Sequence, residues 1–267
     1  MTEDMTREVR STAREAGAHP LVRKGARLGF VVSGLLHLLV GWIALRVAWG
    51  AGGGDDADQS GALAMLANTP AGPALLWIAA AGLALLAAWF LVEAVAARRF
   101  DDVTERIASV AKAAVYSFLA LSAVRVTRRV HESSEEATRS FTADLMAQPG
   151  GRLLVGAVGL AVLGVAGFYM HRGWTKGFAK DLESRPGRFV EESGRIGYIA
   201  KGAAFLVVAF LFVSAALNED AGDAGGLDGA LRALRDQPFG PYLLSIVALG
   251  IAAFGVYMFG RARHAKL

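Results

Sequence analysis

The sequence predicts an all-α, polytopic membrane protein: six transmembrane helices forming three parallel helical-hairpin repeats in a pseudo-threefold arrangement. Three observations carry that prediction. Apolar residues gather in six long blocks, basic residues alternate between the segments that join them, and one pattern of arginine, proline and glycine recurs three times. The 267-residue chain is 54% hydrophobic and 19% charged, with a mean hydropathy of +0.40. A soluble domain would spread those apolar residues over amphipathic elements. Here they run continuously, and a membrane helix needs about 20 in a row.

The first 27 residues are polar and lack the apolar core of a cleavable signal, so the first span reads as an uncleaved one. That span is Leu28–Leu45, interrupted only by His37. Ala74–Val92 follows, and then Ile107–Val124, which contains Lys112. Leu153–Met170 is rich in glycine. Ile196–Leu217 holds Lys201, and Tyr242–Gly260 completes the set. Each block has 18 to 22 residues and none contains aspartate. All are expected to be helical, because backbone facing lipid must satisfy its own hydrogen bonds.

Lysine and arginine set the orientation. The two termini and the segments near Arg98–Lys112 and Arg172–Lys201 carry 20 basic residues; the other three segments carry eight. Both termini are therefore expected in the cytoplasm. Two outer loops are acidic, whereas Arg125, Arg128, Arg129, Arg139 and Arg152 crowd the middle one. The basic residues flank spans, so the pI of about 9.6 does not signal nucleic-acid binding. Without cysteine, neither disulfides nor thiolate chemistry is available.

The repeat is read from "RLGFVVSG", "RIASVAKA" and "RIGYIAKG", which begin at Arg27, Arg106 and Arg195. Counting 43 residues forward lands on Pro70, Pro149 and Pro238, each followed two residues later by Gly72, Gly151 or Gly240. Each unit thus has an inner-side arginine, a span, an outer loop, a short amphipathic stretch, a proline and a second span. The stretch predicts a short interfacial helix, and the proline suits the first turn of the next span. The segments are 1–22, a cytoplasmic N-terminal stretch; 23–99, repeat one; 100–180, repeat two; and 181–267, repeat three with a basic end. Two spans per repeat keep all three in one orientation, and the simplest packing is three hairpins about an axis along the membrane normal.

"RIGYIAKGAAF", "GALRALRDQPFG" and "FGVYMFGRARH" resemble the bacterial family called domain of unknown function 1206, a two-span module present in three copies. The resemblance covers residues from about 23 to 264. It implies fold and a bacterial plasma-membrane location, and brings no activity with it.

Intramembrane polar residues are the candidate functional positions. Lys112 and Lys201 occupy one repeat position, where repeat one has Ser33. Snorkelling to the inner surface explains them; a buried network or a substrate or ion site are the alternatives. Glu93, matched by Arg172 and Arg261, could pair with Lys112 or Arg106 or sit in interfacial water. His37 falls near mid-membrane, with Tyr116 and Phe205 as counterparts. A neutral histidine bonded across the bundle, a proton relay and a haem ligand are its three readings. Asp228 and Asp236 fit a solvated loop. Gly156, Gly159, Gly164, Gly167, Gly250, Gly255 and Gly260 fit close helix packing.

No nucleotide, metal or hydrolase motif occurs, so no catalytic residue, metal site or cofactor is expected, and the chain is not read as an enzyme. The expected partners are the lipid bilayer and a membrane protein or second copy. The expected role is a scaffold or accessory subunit; the alternative is a small transporter or channel on the pseudo-threefold axis.

Overall fold

The computed structural model describes residues 20–50, 56–96, 103–127, 134–183 and 187–266, together with their helical geometry. Six long helices and three short ones are found among them. α1 (Pro20–Ala48), the short α2 (Gln59–Ala67) and α3 (Gly72–Ala96) form repeat one. α4 (Val103–Thr127), the short α5 (Ser134–Met146) and α6 (Gly151–Trp174) form repeat two. α7 (Arg188–Asn218), the short α8 (Leu227–Arg235) and α9 (Gly240–His264) form repeat three. α1, α3, α6, α7 and α9 are long and apolar enough to cross a membrane. α4 has 25 residues and runs beside α3. The exposed Trp42, Phe118, Leu160, Phe210 and Ile246 give the bundle an apolar outside, as lipid requires.

The three short helices end in one shared device. After each, the carbonyl of Thr69, Gln148 or Gln237 accepts the N–H of Gly72, Gly151 or Gly240, every time at 2.8 Å. Proline is the second residue of that turn, not part of the following helix as the sequence suggested. Its fixed φ pre-shapes the turn, and the span then begins at the glycine. Glycine is needed there for space. A Cβ at Gly72, Gly151 or Gly240 would lie 2.2, 2.1 or 1.8 Å from a carbonyl oxygen of the preceding helix.

The chain does not pack as three self-contained hairpins. The most extensive contacts join the second span of one repeat to the first span of the next: α3 with α4, α6 with α7, and α9 with α1. The last pair brings the end of the chain back onto its beginning. Within repeats, α1 packs on α3 and α7 on α9, but among the described residues α4 and α6 make no comparable contact.

Small residues set these crossings. Gly34 meets the Gly255 carbonyl where α1 crosses α9, and Gly202 meets the Ala166 carbonyl where α7 crosses α6. Gly29 faces the Gly82 carbonyl between α1 and α3, and Gly250 faces Ala200 between α9 and α7. Two of the glycines expected to pack do not: a Cβ at Gly164 or Gly167 would have nothing within 4 Å.

The predicted outer end is closed by α2 and α8. Leu63, Leu66 and Leu231 are buried, so both short helices press apolar side chains into the bundle. Asp228 is not solvated as expected but fully buried. Its Oδ1 accepts the Ala57 N–H at 2.6 Å and its Oδ2 accepts from Arg232 Nε at 2.7 Å, tying repeat one to repeat three.

Candidate functional site

The polar groups of the spans converge on an aromatic core. α7 supplies Tyr198, Lys201 and Phe205; α9 supplies Phe254, Tyr257 and Arg261; α6 supplies Tyr169 and Arg172. Tyr198 touches the rings of Tyr169, Phe178, Phe254 and Tyr257 at centroid distances of 5.1 to 5.7 Å. Phe178 arrives from the turn after α6, where a short 3-10 helix spans Gly177–Asp181. An antiparallel bridge between Leu182 and Ala265 fastens that turn to the C-terminal end.

Lys201 turns its ammonium to a histidine and two rings instead of the snorkelling the sequence suggested. Its Nζ lies 3.1 Å from His37 Nε2, 4.3 Å from the Phe254 ring centroid and 5.2 Å from that of Tyr169. His37 Nδ1 lies 2.7 Å from the Ser33 carbonyl oxygen. A carbonyl only accepts, so Nδ1 carries the proton and Nε2 presents a lone pair to the lysine. This cross-bundle contact joins repeats one and three and engages both ring nitrogens.

Lys112 occupies the matching position in repeat two and finds the matching surroundings. Its Nζ sits 4.9 Å from the Phe90 centroid, and Phe90 is the repeat counterpart of Tyr169. Tyr116 stacks on Phe90 at 5.5 Å, as Phe205 contacts Tyr169 at 5.6 Å. Glu93 accepts from Ser109 Oγ at 2.9 Å rather than closing an ion pair with Lys112. The Arg106 side chain lies outside the described residues. Arg27 is exposed, and Arg195 lies over Trp174 with its Cζ 5.7 Å from the ring centroid. Arg27 and Arg195 therefore do not join the core.

The counterparts of Glu93 do join it. Arg172 and Arg261 both bind Asp181 through its Oδ2, the latter at 3.2 Å. Arg261 also covers Phe30 at 4.6 Å, and Arg172 covers Tyr198 at 5.7 Å. Such contacts favour a desolvated cation by about 0.5–2 kcal/mol. One carboxylate serves two guanidinium groups, and the Nε atoms of both remain buried without a hydrogen-bond partner, as does the Tyr257 hydroxyl. Sequence reasoning missed Asp181. The one available signal was the spacing of Tyr257 and Arg261, and of Phe168 and Arg172, four residues apart on a helix face. No cluster of three metal-ligating side chains occurs among the described residues.

Long apolar helices, a thrice-repeated turn and buried polar groups sealed in aromatic rings define a multi-pass membrane protein built from internal repeats. The chain belongs to the family described as Domain of Unknown Function (DUF1206), whose profile matches residues 28–97, 107–176 and 196–265. The three matches keep the register of the arginines and prolines. An uncharacterized protein of Bacillus subtilis (strain 168), YxxB, is 30% identical over 250 residues, covering 89% of each chain. No solved structure matches.

Proposed function

We propose that this is a six-span, pseudo-threefold protein of the bacterial plasma membrane, with both termini in the cytoplasm. We read it as a non-enzymatic scaffold or accessory subunit that binds a membrane protein or lipid. One observation carries the reading: the inner half of the bundle is filled by stacked rings, while α6 is left open. Only 17% of the α6 span is buried, against 61% for α1. Leu153, Leu160 and Leu163 of α6 are exposed, which leaves this helix free to meet a partner.

The test places a photo-crosslinking residue at Leu160 of α6 and, as control, at Ile246 of α9. A discrete polypeptide adduct from Leu160 alone supports the scaffold. Equal lipid-only labelling at both sites counts against a protein partner. The alternative, transport along the axis, draws on the Lys201–His37 contact, a titratable pair in the core. Purified protein in liposomes loaded with a pH dye separates the two. Proton or solute flux abolished by His37→Phe would favour transport, whereas the scaffold predicts a tight vesicle.

A further inference from the structure

The opening between α4 and α6 has a sequence origin. Repeat one brings its two spans together at Gly29 and Gly82, and repeat three has Gly197 and Gly250 at the same places. In repeat three a Cβ on Gly197 would come within 2.6 Å of Phe254, and one on Gly250 within 2.2 Å of Ala200. Repeat two has Ala108 and Ala161 instead. Alanine in place of glycine offers no hollow of the kind on which such close approach depends. Neighbouring positions show the consequence. Val115 is 55% exposed, but its counterparts Leu36 and Ala204 are 1% and 2% exposed. Val165 is 43% exposed, but Leu86 and Phe254 are 0% and 2% exposed.

The inner end of this apolar seam is cationic. Lys112 stands on its α4 side and Arg172 on its α6 side, and Arg261 approaches Phe90 from the core at 5.9 Å. Among the described residues, the charges that act on Lys112 are Arg261, Glu93, Asp181 and Arg172. Asp181 is already shared by the two arginines, Glu93 accepts from Ser109, and the Nε atoms of both arginines have no acceptor. Arg261 is 7% exposed. Among the described residues this buried group has more cations than anions, and at the mouth of a lipid-facing groove it is complementary to an anion that carries apolar chains.

We infer that the seam between α4 and α6 binds one anionic glycerophospholipid, with its phosphate at Lys112 and Arg172 and its acyl chains along Val115, Phe118, Val165 and Phe168. The site deepens the scaffold reading, and rests on it for placing this end of the bundle at the inner leaflet. A partner helix would fill the groove but bring no anion to the arginines, so charge favours the lipid.

The experiment is native mass spectrometry of the delipidated full-length protein in detergent, titrated with phosphatidylglycerol, phosphatidylcholine or inorganic phosphate. One phosphatidylglycerol should bind per chain, at least about tenfold more tightly than phosphatidylcholine. Lys112→Met should weaken it about fivefold to tenfold, and Lys112→Arg should restore it. Ala108→Gly with Ala161→Gly should close the seam and weaken binding while the protein stays folded. Equal affinity for both lipids, or phosphatidylglycerol binding indifferent to Lys112→Met and to the glycine pair, overturns the site. Inorganic phosphate binding with the same Lys112 dependence assigns it to a free anion instead. A polypeptide crosslinked to Val115 would remove the lipid but leave the scaffold standing; proton flux with intact lipid selectivity would do the reverse.

Discussion

Gly250→Ala should be rescued by a second substitution on the facing helix. The new methyl carbon would lie 2.2 Å from Ala200 Cβ, whereas the next atoms, Ala200 Cα and the Ile196 oxygen, are at 3.6 and 3.8 Å. Ordinary contact therefore needs about 1.5 Å of separation between α7 and α9, and overpacking of that kind costs about 1–3 kcal/mol. Ala200→Gly alone costs roughly 0.5–1 kcal/mol, the penalty of glycine inside a helix. In the double variant the only severe clash is gone, so the pair should lose no more than about 1 kcal/mol. The predicted coupling is about 1–2 kcal/mol of rescue. Reversible unfolding in mixed micelles with rising dodecyl sulfate measures all four corners of the cycle. Additive losses, within about 0.5 kcal/mol, would refute direct α7–α9 contact at this point.

Asp228→Ala should destabilise by about 1–3 kcal/mol, because it strands the buried Ala57 N–H and breaks a half-buried ion pair; Asp228→Asn should cost less, and the same unfolding assay reads both. Alanine at Gly72, Gly151 or Gly240 should cost about 1–3 kcal/mol at each turn, and a tolerated Gly240→Ala would contradict the tightest of them. Lys201→Met should stay folded within about 1 kcal/mol of the parent, since methionine packs well against rings and removes a largely buried charge; a collapse in folded yield would instead make the Lys201–His37 contact essential to the fold. Lys176 lies beyond the α6 span, and its contacts with Glu191 and then Glu192 hold its ammonium above the usual lysine range. A raised lysine stabilises below its unfolded pKa, about 10.4, and loses that contribution as pH climbs through the folded value. The stability difference between wild type and Lys176→Ala should therefore be flat from about pH 7 to pH 10 and vanish above.

Spacing along the chain made part of this structure readable. The 43-residue step from Arg27, Arg106 and Arg195 to three prolines fixed the register, because a helix–turn–helix of constant length leaves a constant count. The equivalence of Lys112 and Lys201 was equally legible, and both stand over matching rings. Their neighbours were not, since Tyr169 and His37 reach Lys201 from other repeats and ring packing leaves no sequence period. Asp228 was misread because a Gly- and Asp-rich stretch looks solvated; only the fold shows the Ala57 N–H and Arg232 waiting for its two oxygens. Gly164 and Gly167 share the spacing of packing glycines, but spacing names a small face and not what lies opposite. The alanines at 108 and 161 held the clue to the open seam, which required knowing that Gly29 with Gly82 and Gly197 with Gly250 are contacts.

The central claim is that the last span closes onto the first while repeat two stays open. Trp49 Nε1 donates to Ser245 Oγ at 3.2 Å, and Trp49 and Tyr242 stand 5.6 Å apart, both largely exposed. Cysteines at Trp49 and Tyr242 in this cysteine-free chain, with a protease site inserted at residues 51–55, make closure measurable on a denaturing gel. A short bismaleimide should keep the two fragments in one band after cleavage. Cysteines at Val115 and Val165, with the protease site at 128–133, should let theirs separate. Separation of the first pair together with retention of the second would contradict the account.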